Sequence, residues 1–178
     1  PSLTSATSTA FAVTPGAASK LAFTVQPSAV VAGTSLAPAV KVTVQDARGN
    51  TVTGSTTNIV LAITSGTGTT GALLGGILAQ AAVNGVATFS GLTIDKAGAA
   101  YTLTATATDL TSATGIAVVV GAGAATKLAF TAQPSAVGAG AAITPAVQVT
   151  VQDAQGNTVT SATTSITLAI TSGTDTNG

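Results

Sequence analysis

The stretch VQDARGNTVT at residues 44–53 decides the fold, because it returns as VQDAQGNTVT at residues 151–160. In each copy an Asp is followed three residues later by a Gly. An Asp side chain can accept hydrogen bonds from backbone N–H groups two residues on, and a Gly can adopt a positive φ, so the pair reverses the chain between two strands. We therefore predict a structural turn at Asp46 and Gly49, and the same turn at Asp153 and Gly156.

The turn belongs to a repeat with a period of 107 residues. Residues 18–71 align with residues 125–178 without an insertion, and 39 of these 54 positions are identical. The same offset places LTSATSTAFAV at residues 3–13 over LTSATGIAVVV at residues 110–120. This period is too long for a solenoid unit and is typical of an independently folding domain. The sequence therefore predicts domains in tandem.

Three pieces of such domains follow from the alignment. Residues 1–17 are predicted to be the C-terminal strand of a preceding repeat, residues 18–124 a complete repeat, and residues 125–178 the N-terminal half of the next one. The seams, or linkers, between them lie at residues 14–20 and 121–127. They are short and rich in Gly, Ala and Pro, which limits bending without abolishing it. Because the first residue is Pro, we expect the sequence to be part of a longer chain.

Within the repeat, apolar residues alternate with small or polar ones, as in a half-buried strand. The predicted strands are Leu21–Val25, Val40–Val44, Ile59–Ile63, Val86–Phe89, Tyr101–Ala105 and Ile116–Val120, with a seventh near residues 73–81. Turn signals such as NG at residues 84–85 and DKAG at residues 95–98 separate them. Short alternating strands over about 100 residues predict an all-β fold, an immunoglobulin-like Greek-key β-sandwich.

Tyr101 is the only Tyr in the chain, and it follows the turn signal DKAG at the start of a predicted strand. A tyrosine corner of a Greek-key sandwich has its Tyr at such a position, with the hydroxyl bonded back to the upstream backbone. We predict this structural role for Tyr101. The alternative is that Tyr101 is an ordinary half-buried aromatic of the core.

Composition excludes several classes of function. The net charge is zero and only 6% of the residues are charged, so nothing favours a nucleic acid or an anionic surface as partner. The chain has no His, no Cys and no Glu, which removes the usual general bases, nucleophiles and soft metal ligands. No apolar run approaches the length of about 20 residues that a membrane helix needs. We expect neither an enzyme nor a membrane-spanning segment, and no cofactor.

Calcium is the one metal that the sequence leaves open. Asp46 with Asn50, and Asp153 with Asn157, place two oxygen-bearing side chains in the same turn of each repeat. A Ca²⁺ ion takes six to eight oxygen ligands, so one carboxylate per turn makes these four residues weak candidates. Asp95 and Asp109 would join them only if the fold brought them close. The competing interpretation is that the Asp simply caps its turn.

The stretches QPS, VQDxxGN, FSGLTID and YTLTA, taken in their order, resemble the bacterial immunoglobulin-like repeats of very large secreted and cell-surface proteins. The resemblance covers nearly the whole chain. It implies an extracellular β-sandwich, strung in tandem at the bacterial surface, that serves in a stalk, an adhesin or a fibre. It brings no catalytic residues with it.

Three functions therefore remain as hypotheses. The first is a structural segment of an extracellular stalk, adhesin or surface filament, whose partners are neighbouring repeats of the same or identical chains. The second is an adhesin module that binds a host receptor, a surface ligand or a glycan. The third is a fibre subunit whose incomplete ends are filled by other chains through β-strand complementation. The nearly unchanged turn of the two repeats favours the structural segment.

Overall fold

A computed structural model describes residues 2–171, and all regular structure in this part of the chain is β. The strands are β1 (Ala18–Val25), β2 (Val30–Val31), β3 (Val40–Asp46), β4 (Asn58–Ile63), β5 (Leu74–Gly75), β6 (Ala79–Ala81), β7 (Val86–Phe89), β8 (Thr93–Ile94), β9 (Gly98–Tyr101), β10 (Leu103–Thr106), β11 (Ala113–Thr114), β12 (Val118–Gly121), β13 (Lys127–Ala132) and β14 (Gln148–Gln152). The all-β prediction is confirmed for these residues. None of them forms a helix that could cross a membrane.

The strands form small sheets, and every strand predicted within residues 18–124 overlaps at least one of the observed strands. The strand orders are β1-β3-β7, β11-β10-β4-β6, β2-β12-β9, β5-β8 and β13-β14. Most pairs are antiparallel, but β12 runs parallel to β2. A second parallel contact, between Lys20 of β1 and Thr111, lies at the free edge of β1.

Several of these sheets, among them those of β3 and β4, contribute side chains to a single core. Val40, Val42 and Val44 of β3 are fully buried from the first sheet, and Ile59 and Leu61 of β4 are buried from the second. Alternation explains the pattern, since every second residue of a strand points to the same face. Two sheets with a shared apolar layer are consistent with a β-sandwich.

The chain changes sheets at Thr102. β9 belongs to the sheet with β12, whereas β10 belongs to the sheet with β4, so the single strand predicted at Tyr101–Ala105 is divided in two. The inward alternation of Tyr101 and Leu103 continues across the break, because both side chains enter the same core. Strands that switch sheets in this way form the corners of sandwiches.

The chain separates into two compact units, the first ending at Ala122 and the second beginning at Gly123. The second unit contains β13 and β14, which pair with the register of β1 and β3 shifted by 107 residues: Leu128 faces Val151 as Leu21 faces Val44. The irregularity near the end of β1, between Phe23 and Val25, recurs between Phe130 and Ala132.

Two segments are apolar in sequence without forming strands. Residues 165–170 are equivalent to β4, yet Leu168 is 56% exposed while its counterpart Leu61 is 1% exposed. Residues 2–17 belong to no strand, and Phe11 among them is largely exposed. In the first unit β4 lies between β6 and β10, whereas residues 165–170 pair with no strand among the described residues.

Candidate functional site

The most elaborate polar arrangement in the first unit surrounds Asp46, the last residue of β3. Its Oδ1 accepts hydrogen bonds from the backbone N–H groups of Arg48 and Asn50, both at 2.9 Å. Its Oδ2 accepts the side-chain Nδ2–H of Asn50 and the backbone N–H of Gly16, also at 2.9 Å. Gly16 lies in the linker, 30 residues upstream. One carboxylate thus closes its own turn and binds the linker; we call this group of residues the first clamp.

The second unit repeats the arrangement around Asp153. Oδ2 accepts the backbone N–H of linker residue Gly123 at 2.8 Å and the Nδ2–H of Asn157 at 2.9 Å. Oδ1 accepts the backbone N–H of Asn157 at 2.8 Å, and the N–H of Gln155 also bonds to the carboxylate. These residues form the second clamp.

Local sequence explains why each turn presents its carboxylate in this way. Gly49 and Gly156 adopt φ values of 91° and 90°, a region that disfavours residues with a side chain. This conformation lets the backbone N–H of Gly49 bond the carbonyl of Asp46 at 3.1 Å and returns the chain toward β3. A Lys at the same strand position in each repeat adds a further bond to the turn. Lys20 Nζ donates to the carbonyl of Ala47, and Lys127 Nζ donates to the carbonyl of Ala154.

Both carboxylates are held in the ionised form. Hydrogen bonds from the Asn50 side chain and from the Gly16 N–H stabilise the anion of Asp46, and they lower its pKa well below the ordinary value of 3.8 although burial acts in the opposite sense. Burial has the larger individual effect on Asp153, but the bonds from Gly123 and Asn157 together outweigh it and lower that pKa as well. Residues Asp46 and Asp153 are 4% and 1% exposed.

The clamps therefore predict sensitivity to acid. A group whose pKa is lowered by folding stabilises the folded state fully above its unfolded value, here 3.8, and this contribution is lost as the pH falls toward the folded value. We expect the Tm of the chain to fall steeply below about pH 4, and to fall less steeply in the variant Asp46→Asn. Thermal denaturation followed by circular dichroism at a series of pH values measures both slopes. The exposed Asp109→Asn variant is the control, and equal slopes for all three proteins would contradict the prediction.

The weak calcium candidates occupy the clamps, where the carboxylate oxygens of Asp46 and Asp153 already accept hydrogen bonds. The amide of Asn50 turns its Nδ2–H toward Asp46, and the amide of Asn157 does the same toward Asp153. Asp95 Oδ1 accepts the backbone N–H of Leu73 elsewhere in the unit. Across residues 2–171, no three His, Cys, Asp or Glu side chains come together where they could hold a metal ion. The geometry supports the turn-capping interpretation of these Asp residues.

This geometry leads to a prediction about metal addition. We expect millimolar Ca²⁺ to leave the Tm of the chain unchanged relative to a sample in a chelator, because the Asp46 carboxylate would have to give up four donors to bind an ion. Magnesium at the same concentration controls for ionic strength. A rise in Tm that is specific to Ca²⁺ and absent in Asp46→Asn would instead establish a calcium site at the turn.

Tyr101 lies at the end of β9 and is almost completely buried. Its hydroxyl donates to the backbone carbonyl of Lys96, five residues upstream, at 2.9 Å. Gly68 packs directly on the ring, so closely that a Cβ at this position would overlap the ring atoms. The bond and the packing together fix the corner where the chain enters β9.

Sequence reasoning identified the Asp, the Asn and the Gly of each turn, but it missed the two linker residues that complete the clamps. Gly16 and Gly123 both lie in the seams, for which the sequence predicts only that bending is limited without being abolished. The only signal for them in the sequence is that each keeps the same distance of 30 residues from its Asp. Spacing of this kind does not by itself indicate a contact, since every pair of aligned positions in a repeat shares it.

Comparisons with known proteins do not assign the chain to a family. No family model matches the sequence, and no curated protein matches it. Among solved structures, the chain is similar to a β-glycosidase from Bacteroides vulgatus, with 16% sequence identity and a TM-score of 0.48. The match covers 60% of this chain and 14% of the length of the glycosidase.

Proposed function

We propose that the chain is a structural segment of an extracellular bacterial stalk, adhesin or surface filament, built from immunoglobulin-like Greek-key domains in tandem. In this proposal each repeat is a spacer without catalytic activity. Its partners are the neighbouring repeats, and its role is to hold a distant part of the protein away from the cell.

The observation that carries the proposal is the repetition of both the strand pair and the linker attachment. β13 and β14 reproduce the register and the irregularity of β1 and β3. The bond from Gly123 to Asp153 reproduces the bond from Gly16 to Asp46. A binding module would be expected to vary its turns between copies, whereas a spacer needs each seam to be built alike. The resemblance of the sequence to bacterial surface repeats supports the same function.

Surface labelling of the source organism tests the proposal. Antibodies raised against the 178-residue chain should label intact cells, and protease treatment of intact cells should remove the label. The denatured mass of the labelled polypeptide should be many times the 16.7 kDa of this chain. Labelling that appears only after the cells are lysed would overturn an extracellular role.

A second candidate function is a fibre subunit that polymerises by β-strand complementation, and one observation favours it. In the complete repeat, the backbone N–H of Leu21 bonds the carbonyl of Thr111, so the LTSAT segment at residues 110–114 covers the edge of β1. The same five residues occur at positions 3–7, and Leu128 of β13 is equivalent to Leu21. The segment of one copy therefore has the sequence that would cover the edge of β13 in another copy.

Sedimentation velocity over a wide range of concentrations tests this second function. If it is right, the chain forms oligomers that grow with concentration, and a variant without residues 1–14 stays monomeric. A chain that remains monomeric at every concentration would exclude complementation between copies, while leaving the structural role of a longer tandem chain unaffected.

A further inference from the structure

We infer that each clamp shortens the hinge between consecutive repeats to a single residue, so that the Asp of the turn is the residue that sets the stiffness of the seam. This inference deepens the proposed function and rests on it, because a seam matters only if the repeats work in tandem. It assigns a positioning role to Asp46 and Asp153 that goes beyond closing their own turns.

The second seam shows how little of the linker is unattached. Gly121, the last residue of β12, is held in the first unit, because its carbonyl accepts the backbone N–H of Ala32 at 2.8 Å. Gly123 is held in the second unit by its bond to Asp153. Ala122 is the one residue between these two attachments. The division of the chain into compact units falls at the same place, directly after Ala122.

Without the clamp the hinge would be considerably longer. The next linker attachment in the second unit is the backbone N–H of Thr126, which bonds the carbonyl of Gln152 at 2.8 Å. Loss of the Gly123 bond would therefore leave residues 122–125, the sequence AGAA, free to rotate. Each unattached residue adds two soft backbone torsions and up to about 3.5 Å of reach. Small residues without bulky side chains restrict these torsions little.

The first seam carries a stiffer residue at the hinge position. Ala122 aligns with Pro15, and Gly123 aligns with Gly16, which is bound to Asp46. The ring of a Pro fixes φ near −65°, and it also restricts the residue that precedes it. With the clamp in place, a seam of the Pro type retains only one soft torsion at its hinge. The chain thus combines a common clamp with a hinge residue that differs between seams.

Amide exchange measured by NMR on the ¹⁵N-labelled 178-residue chain tests the clamp itself. We expect the amide protons of Gly16 and Gly123 to exchange about tenfold or more slowly than in an unstructured peptide of the same sequence. Asp46→Asn should remove the protection of Gly16 and leave that of Gly123, and Asp153→Asn should remove the protection of Gly123 and leave that of Gly16. Each variant is thereby the control for the other seam, and Asp109→Asn controls for the lost charge.

Exchange of the core amide protons shows whether a variant has only released the linker or has destabilised the folded unit. Protection at Val42 and Leu61 should persist in Asp46→Asn if only the linker is released, because both residues lie in the buried core. If that variant unfolds the first unit, Asp153→Asn carries the test at the second seam, and Asn50→Ala, which removes one donor but leaves the Gly16 bond in place, should leave Gly16 protected. Exchange of Gly16 and Gly123 at the unstructured rate in the unmodified chain would overturn the inference.

Relaxation of ¹⁵N nuclei then measures the hinge. Asp153→Asn should increase the independent motion of the two units, as should insertion of two Gly residues after Ala122, which lengthens the hinge and leaves the clamp intact. Ala122→Pro should decrease this motion. Unchanged motion in Asp153→Asn, with the expected increase in the insertion variant, would show that the clamp does not set the stiffness. These results are independent of surface labelling, so a failure of the hinge model is distinguishable from a failure of the proposed function.

Discussion

Replacing Tyr101 with Ala is expected to lower the free energy of unfolding of the first unit by about 3–5 kcal/mol. The ring is the largest fully buried side chain among residues 2–171, and it packs in the core of the first unit. Its removal leaves a cavity beneath Gly68 and also leaves the Lys96 carbonyl without its donor. Because a domain of this size is stable by only about 5–15 kcal/mol, the loss is a large fraction of the total.

Urea unfolding followed by circular dichroism measures this loss, and Tyr101→Phe separates the two contributions. The Phe variant keeps the ring and loses only the hydroxyl, so we expect it to cost about 0.5–1.5 kcal/mol. Hydrogen exchange of the core amides assigns the transition to the first unit. If Tyr101→Ala cost no more than Tyr101→Phe, the ring would contribute nothing beyond its hydrogen bond, and the packing described for this corner would be wrong.

Gly68→Ala is expected to be nearly as destabilising, at about 2–5 kcal/mol, for two separable reasons. The backbone of Gly68 has a φ of 67°, which a residue with a Cβ adopts only at a cost of about 1–2 kcal/mol. In addition, the new methyl group would overlap the Tyr101 ring, and overpacking of this kind costs typically about 1–3 kcal/mol.

Gly66→Ala is a matched control for Gly68→Ala. Gly66 has a similar φ of 78°, but a Cβ there would meet no atom within 4 Å. Gly66→Ala should therefore lower the free energy of unfolding only by the cost of the backbone strain, about 1–2 kcal/mol. The double variant Gly68→Ala/Tyr101→Ala should lose less than the sum of the single variants, with a coupling of at least about 0.5 kcal/mol, because the Ala methyl enters the space that the ring vacates. Strict additivity would show that the two residues do not touch.

Much of the architecture could be predicted from the sequence because two kinds of signal are local. Alternation identified β3 and β4 directly, since one face of each strand enters the core. Alternation could not reveal the break at Thr102, because Tyr101 and Leu103 remain inward-facing while the chain passes from one sheet to another. Which sheet a strand joins depends on partners distant in the chain, and no local pattern records them.

Segments of similar sequence also adopt different structures when their neighbouring strands differ. Ile59 and Leu61 of β4 are buried, whereas Ile166 and Leu168 in the equivalent segment of the second unit are exposed and form no strand. A strand is stabilised by its neighbours and by the face it covers, and its own propensity contributes less. The clamps could not be predicted from the sequence either, because they also depend on a distant partner: the bond from Gly16 to Asp46 spans 30 residues.

The two parallel contacts in the first unit determine how it would respond to tension. A pull on the chain enters the unit at β1 and leaves it at β12. β1 runs parallel to the segment at Thr111, and β12 runs parallel to β2. In a parallel pair, the start of one strand and the end of the other lie at opposite ends of the pair, so the pull slides the strands past each other instead of peeling them apart. All the bonds of each pair then bear the shear together, so these short pairings resist a pull along the chain.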